Sequence, residues 1–136
     1  MSLFNIFNIA GSALSAQSVR LNVVASNLAN ADSAASSTGQ TYRARIPVFS
    51  ALMSRYGDGL ATGVRVAGIV QSQAPLRSRY APGNPLADKN GYIHLPNVNV
   101  IEQMADMISA SRTYQDNVQV LNTSKQLLLN TLRLGQ

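Results

Sequence analysis

The chain has 136 residues, with no cysteine, no tryptophan, one histidine and six carboxylates. That length holds one domain, or one domain with arms. The missing thiols exclude disulfides, iron–sulfur ligation, thiolate catalysis and cysteine zinc sites, and so few histidines and carboxylates argue against a metal site built from protein alone. Charged residues make up only 12%, and the net charge of +5 arises entirely in residues 36–95, where seven bases meet two acids. No run approaches the roughly 20 apolar residues that span a bilayer. Residues 1–28 lack a basic start, so a cleaved signal peptide is not expected.

The first element is a helix, expected over residues 3–31. Phe7, Leu14, Leu21 and Leu28 recur every seventh residue, with Ala10, Val24 and Ala31 at the partner positions and Gln17 as the polar exception. This is an a/d seam over three heptads with no proline in it. Asn30, Asp32, Ser33 and the following serines end it.

The middle has another texture. Residues 41–49 alternate Tyr42, Ala44, Ile46 and Val48 against Arg43 and Arg45. Residues 63–70 read as a second strand and 92–95, after the Asn90-Gly91 turn, as a third. Gly57–Gly59 and residues 81–85 read as loops. Arg43, Arg45, Arg65, Arg77 and Arg79 form a candidate basic patch, fit for an anionic partner or simply solvated.

The last element is a second helix, expected over residues 100–134, about 50 Å long. Its seam holds Met104, Met107, Tyr114, Val118, Leu121, Leu128 and Leu132, beginning at Val100, and Asn97 or Asn99 is the N-cap candidate. The fold class is therefore α+β, mainly α. Long terminal helices (1–33 and 97–136) pair as a coiled coil into one helical domain around a small β-rich insert (34–96).

The non-seam positions identify the setting of these helices. An isolated coiled coil carries Glu and Lys beside its seam. Here those positions hold Asn5, Asn8, Asn22, Gln103, Gln115, Gln119, Asn122 and Gln126, with serine and alanine between them. Amides form hydrogen bonds without the desolvation cost of a charge. A helix that is polar but uncharged all round suits burial among other helices, so the chain reads as an assembly subunit. A lone helical hairpin of unusual composition is the plainer alternative.

Enzyme chemistry finds no support. No nucleophile elbow, phosphate-binding loop or metal-binding His-Glu-x-x-His occurs, so neither catalytic residues nor a cofactor nor a small-molecule substrate is expected. A basic nucleic-acid-binding module is the other alternative, but no reading motif accompanies the arginines, and no nucleic acid is expected.

The residues also carry a resemblance. Ala25-Ser26-Asn27-Leu28-Ala29-Asn30-Ala31 is similar to the signature of flagellar basal-body rod proteins, and the likeness continues through residues 39–45, 71–75, 80–88, 90–92, 96–100, 107–117 and 132–136. The loop at 34–39 departs from sibling proteins that place Thr-Pro-Gly or Thr-Thr-Gly there. The resemblance implies a proximal-rod subunit that polymerises helically into a torque-transmitting shaft and export channel in the periplasm. Its implied partners are copies of itself, the rod subunits FlgB, FlgF and FlgG, and the adaptor FliE. Export would use the flagellar type III apparatus without a cleaved signal. Residues 49–53 fit the phenylalanine-plus-apolar pattern of rod and hook export signals, but that pattern is short and common, and a packed strand end is the favoured reading. Asn27 and Asn30, with Tyr114 and Asn117, are candidates for hydrogen bonds across subunits.

Overall fold

The computed structural model describes residues 3–53 and 61–134. Helix α1 spans Leu3–Ala29. Strands β1 (Arg45–Met53), β2 (Ala61–Gln71), β3 (Arg77–Tyr80) and β4 (Tyr92–Leu95) follow, and helix α2 spans Val100–Leu134. The expected Gly57–Gly59 loop lies outside the described residues. Among those described, no helix is long and apolar enough to cross a membrane.

The strands form two separate antiparallel ribbons, β1 with β2 and β3 with β4. Strand β3 is not expected from the sequence, because Arg77-Ser78-Arg79-Tyr80 carries no apolar alternation; all four residues are exposed. It forms because β4 offers a ladder and Tyr80 stacks edge-on against Tyr92 at 5.2 Å. The first strand also begins later than expected. Thr41, Tyr42 and Arg43 lie outside it, held by side-chain bonds in place of a ladder. The β1–β2 register shifts at Val48/Phe49 and at Leu52/Met53. Each shift adds a residue on β2 and increases the local twist.

Asn99 proves to be the cap of α2, its Oδ1 accepting from the Ile101 and Glu102 amides at 3.2 and 3.5 Å. Asn97 instead accepts from the Ala44 amide at 2.8 Å and donates to the Ala74 carbonyl at 2.8 Å. It thereby ties the segments that flank the hairpin to the start of α2.

Helix α1 is the central layer. The hairpin lies along one side of it and α2 along another, while α2 has no close backbone approach to either hairpin strand. The helices run antiparallel: Asn27 bonds Gln103, and Arg20, earlier in α1, pairs with Asp106, later in α2, at 2.6 Å. Among the described residues the buried apolar ones are mostly small: Ala10, Ala16, Val23 and Val24 from α1, Ala31 just beyond it, Ala44 before β1, Ile93, Pro96 and Val98, and Ala110 from α2. The apolar core therefore sits at the closed end, where Ala31, Ala44 and Val98 cluster against Tyr42 and Val100.

Candidate assembly interface

The two heptad stripes keep their periodicity but are incompletely covered. On α1, Val24 is buried and Phe7, Leu14, Leu21 and Leu28 are half-buried. On α2, Met107, Leu121 and Leu128 are half-buried, whereas Met104 (55%), Tyr114 (38%), Val118 (36%) and Leu132 (61%) are exposed. The line of α2 that meets α1 is a more polar one, marked by Gln103, Ala110, Asn117 and Ser124. The reason is size. Alanine and serine let the two backbones approach, and the larger seam residues are displaced to the flank. Ile101 and Ile108 add further exposed apolar area on the outer face.

The signature residues are distributed differently. Ala25 and Ala29 are exposed and Leu28 is half-buried, while Ser26, Asn27 and Asn30 face inward bonds. Asn27 is buried, and its amide is fully engaged. Oδ1 accepts from the Arg45 amide and from the Tyr42 hydroxyl, each at 2.9 Å. Nδ2 donates to the Arg45 carbonyl at 2.9 Å and to Gln103 Oε1 at 2.7 Å. The backbone groups fix which amide atom is oxygen, since an N–H must donate and a carbonyl must accept. Tyr42 thereby commits its only proton to Asn27, so Ser26 donates to the Tyr42 oxygen at 3.2 Å. Asn30 Nδ2 donates to the Ser26 carbonyl, and Asn117 Nδ2 to the Thr113 carbonyl, both at 2.8 Å. The expectation of a bond across subunits is corrected for Asn27, whose amide is fully engaged within the chain, whereas Asn30 and Asn117 each commit one of their two N–H donors. Tyr114 alone of the four is exposed.

The basic patch divides as well. Arg43 donates to the carbonyls of Ser72 and Ala74 at 3.1 and 3.3 Å. Arg77 reaches the Pro96 carbonyl at 3.0 Å and the Ala31 carbonyl at 3.1 Å. The last turn of α1 holds no basic residue of its own, so Arg77, from β3, supplies the cation that the end of a helix favours. Arg65 bonds Ser50 at 3.0 Å, Arg45 lies over the Tyr42 ring at 5.6 Å, and Arg79 is exposed on β3. Two of the five arginines, Arg43 and Arg77, thus spend their guanidinium donors on backbone carbonyls of their own chain. Sequence reasoning missed Ser12, which accepts from the Val64 amide at 3.1 Å, and the pairing of Arg20 with Asp106. Neither lies in a motif or in an apolar period.

Two long helices rich in amides and small residues, with apolar flanks left exposed, joined at one end and carrying a hairpin, define a structural assembly subunit. The comparisons with known proteins give that class its identity. Residues 7–34 match the family described as "Flagella basal body rod protein", and residues 89–134 match "Flagellar basal body rod FlgEFG protein C-terminal". Over the whole of both chains, the sequence is 58% identical to the flagellar basal-body rod protein FlgC of Salmonella typhimurium and 59% to that of Yersinia enterocolitica. Against the same protein of Buchnera aphidicola subsp. Schizaphis graminum the identity is 46%, again over full length. The chain belongs to the FlgC family of flagellar basal-body rod proteins, and its role is that of a structural subunit of the rod.

Proposed function

We propose that the chain is a proximal-rod subunit whose helix pair packs against neighbouring subunits through its two heptad flanks. The observation that carries this reading is the exposure of Met104, Tyr114, Val118 and Leu132 on an otherwise ordered helix. At about 100° per residue, Phe7, Leu14, Leu21 and Leu28 fall on one flank of the α1 contact line, and Met107, Tyr114, Val118 and Leu121 on one flank of the α2 line. With the helices antiparallel, both flanks lie on the side of the pair away from the hairpin. A coiled coil then forms with helices of adjacent subunits in the wall of a tube, and residues 1–33 with 97–136 act as the inner assembly unit. Residues 34–96 form the outer part.

Neighbours of the kind expected for this family are further copies, FlgB, FlgF and FlgG, and the adaptor FliE, in a periplasmic shaft that carries torque. Delivery through the flagellar type III apparatus without a cleaved signal fits the same reading, and Phe49–Met53, in β1, is the export-signal candidate. Heptad flanks suit a load-bearing wall, because a slip in register exposes apolar residues along the whole helix.

Met104→Asp tests the reading directly, since the side chain is already exposed in the single chain. The expected result is normal secretion and a normal far-UV spectrum with no rods in purified basal bodies. Leu21→Asp and Leu121→Asp should also abolish rods. Full motility in all three strains would overturn the packing account.

A further inference from the structure

The hairpin and α2 lie on different sides of α1 and have no close backbone approach to each other, yet one side chain is bonded to both. Asn27, 1% exposed, grips the amide and the carbonyl of Arg45 with its two amide atoms. This two-point hold on the first residue of β1 imitates a ladder pair. The second proton of the same Nδ2 goes to Gln103 on α2, and Tyr42 closes the fourth position. Among the described residues no other side chain bonds β1 and α2 together.

We infer that Asn27 is a positioning residue that couples hairpin docking to helix pairing, so that the chain closes its outer and inner parts in one step. The inference concerns contacts inside a single chain and stands apart from the rod assignment. Its physical basis is the small size of the core around it. Alanine and valine dominate there, and apolar packing alone leaves α1 free to slide against either neighbour. A buried amide with both donors and both acceptor positions filled tolerates only one arrangement, because any shift leaves a polar group unpaired away from water. Ser12 adds a second hairpin contact about four turns nearer the N-terminus, through the Val64 amide. That amide therefore reports hairpin docking at a distance from the joint.

Hydrogen exchange on the full-length chain provides the test, with the Arg45 and Val64 amides as reporters. Gln103→Leu removes the acceptor on α2 and touches neither reporter. Coupling raises the exchange of both by about tenfold, the effect of losing one buried hydrogen bond. Gln103→Glu, which keeps an acceptor oxygen, restores protection to near the unmodified level. Asn27→Asp, nearly equal in size but without the donors, loosens both reporters and the start of α2 together. Exchange that rises only within α2 in Gln103→Leu would overturn the inference. So would equal loosening in Gln103→Glu and Gln103→Leu, or an Arg45 amide already unprotected in the unmodified chain.

Discussion

Ser12 and Gly63 touch so closely that a Cβ placed on Gly63 would stand 2.6 Å from the Ser12 hydroxyl oxygen. That oxygen cannot move aside freely, because it donates to the Ile9 carbonyl at 2.8 Å and accepts from the Val64 amide at 3.1 Å. The contact fixes how near the hairpin lies to α1. Gly63→Ala is expected to lift the Leu52–Gly63 end of the hairpin from α1 and cost about 1–3 kcal/mol, in the range of overpacking. Ser12→Gly in the same chain relieves the clash but not the lost hydrogen bond, so it recovers only part of that stability. Urea unfolding of the single and double variants measures both effects. A neutral Gly63→Ala would show that the hairpin is not held there.

Arg77 joins two carbonyls that belong to different segments, Pro96 and Ala31. The planar guanidinium serves them from two separate nitrogens, Nε and Nη2, held in a fixed fork, and the ammonium of lysine, with all its donors on one atom, does not reproduce that geometry. Arg77→Lys is expected to keep the charge yet destabilise the chain by about 1–2 kcal/mol, the cost of leaving a helix-terminal carbonyl without its partner. Thermal unfolding of Arg77→Lys beside Arg77→Ala decides it. A lysine variant as stable as the parent would mean that only charge matters at this helix end.

Asp88 holds the 88–92 turn with one oxygen, accepting from the Asn90 and Tyr92 amides at 2.8 Å each. The Tyr92 amide chiefly, then the Asn90 amide and the charge of His94, hold its carboxyl below the ordinary value of 3.8 against an opposing desolvation effect. A depressed folded pKa gives a contribution that is complete above the unfolded pKa and is lost as pH falls through the folded one. The turn is therefore expected to stay closed down through pH 4 and to open below it. The Tyr92 amide shift followed by NMR from pH 6 to pH 2 reads the transition, and Asp88→Asn should remove it. A midpoint at or above 3.8 would contradict the assignment.

Gln17 interrupts the α1 stripe, and its Oε1 is buried without a protein donor. Gln17→Leu exchanges an amide whose buried oxygen has no protein donor for an apolar group of similar volume on a seam of leucines. It is expected to raise the stability of the isolated chain by about 1 kcal/mol. Chemical denaturation checks this; a destabilised variant would mean that the amide is satisfied in solution.

The sequence made the long elements legible because their signals are local and repeated. Heptad spacing located both helices to within two residues of their observed ends, and the Asn90-Gly91 turn placed β4. The helix contact line was not legible. The seven-residue period of the large side chains marks a flank, and Ala110 and Ser124, which lie against α1, look featureless in sequence. The joint was half visible. Asn27 stood out within the signature, but its partners Arg45 and Gln103 are 18 and 76 residues away, and no local pattern links them. Arg77 was counted as surface charge because nothing in its tetrapeptide shows a carbonyl waiting at the end of α1.

Helix α2 has 35 residues and α1 has 27. The difference is about 12 Å of rise, and it falls at the end away from the joint. Pieces with such unequal limbs cannot be butted flush, since each presents a step to whatever stands above it. In the rod proposed above, courses laid from them would overlap lengthwise like offset masonry. A transverse crack through such a column would have to break continuous backbone, because no level would exist at which every limb stops.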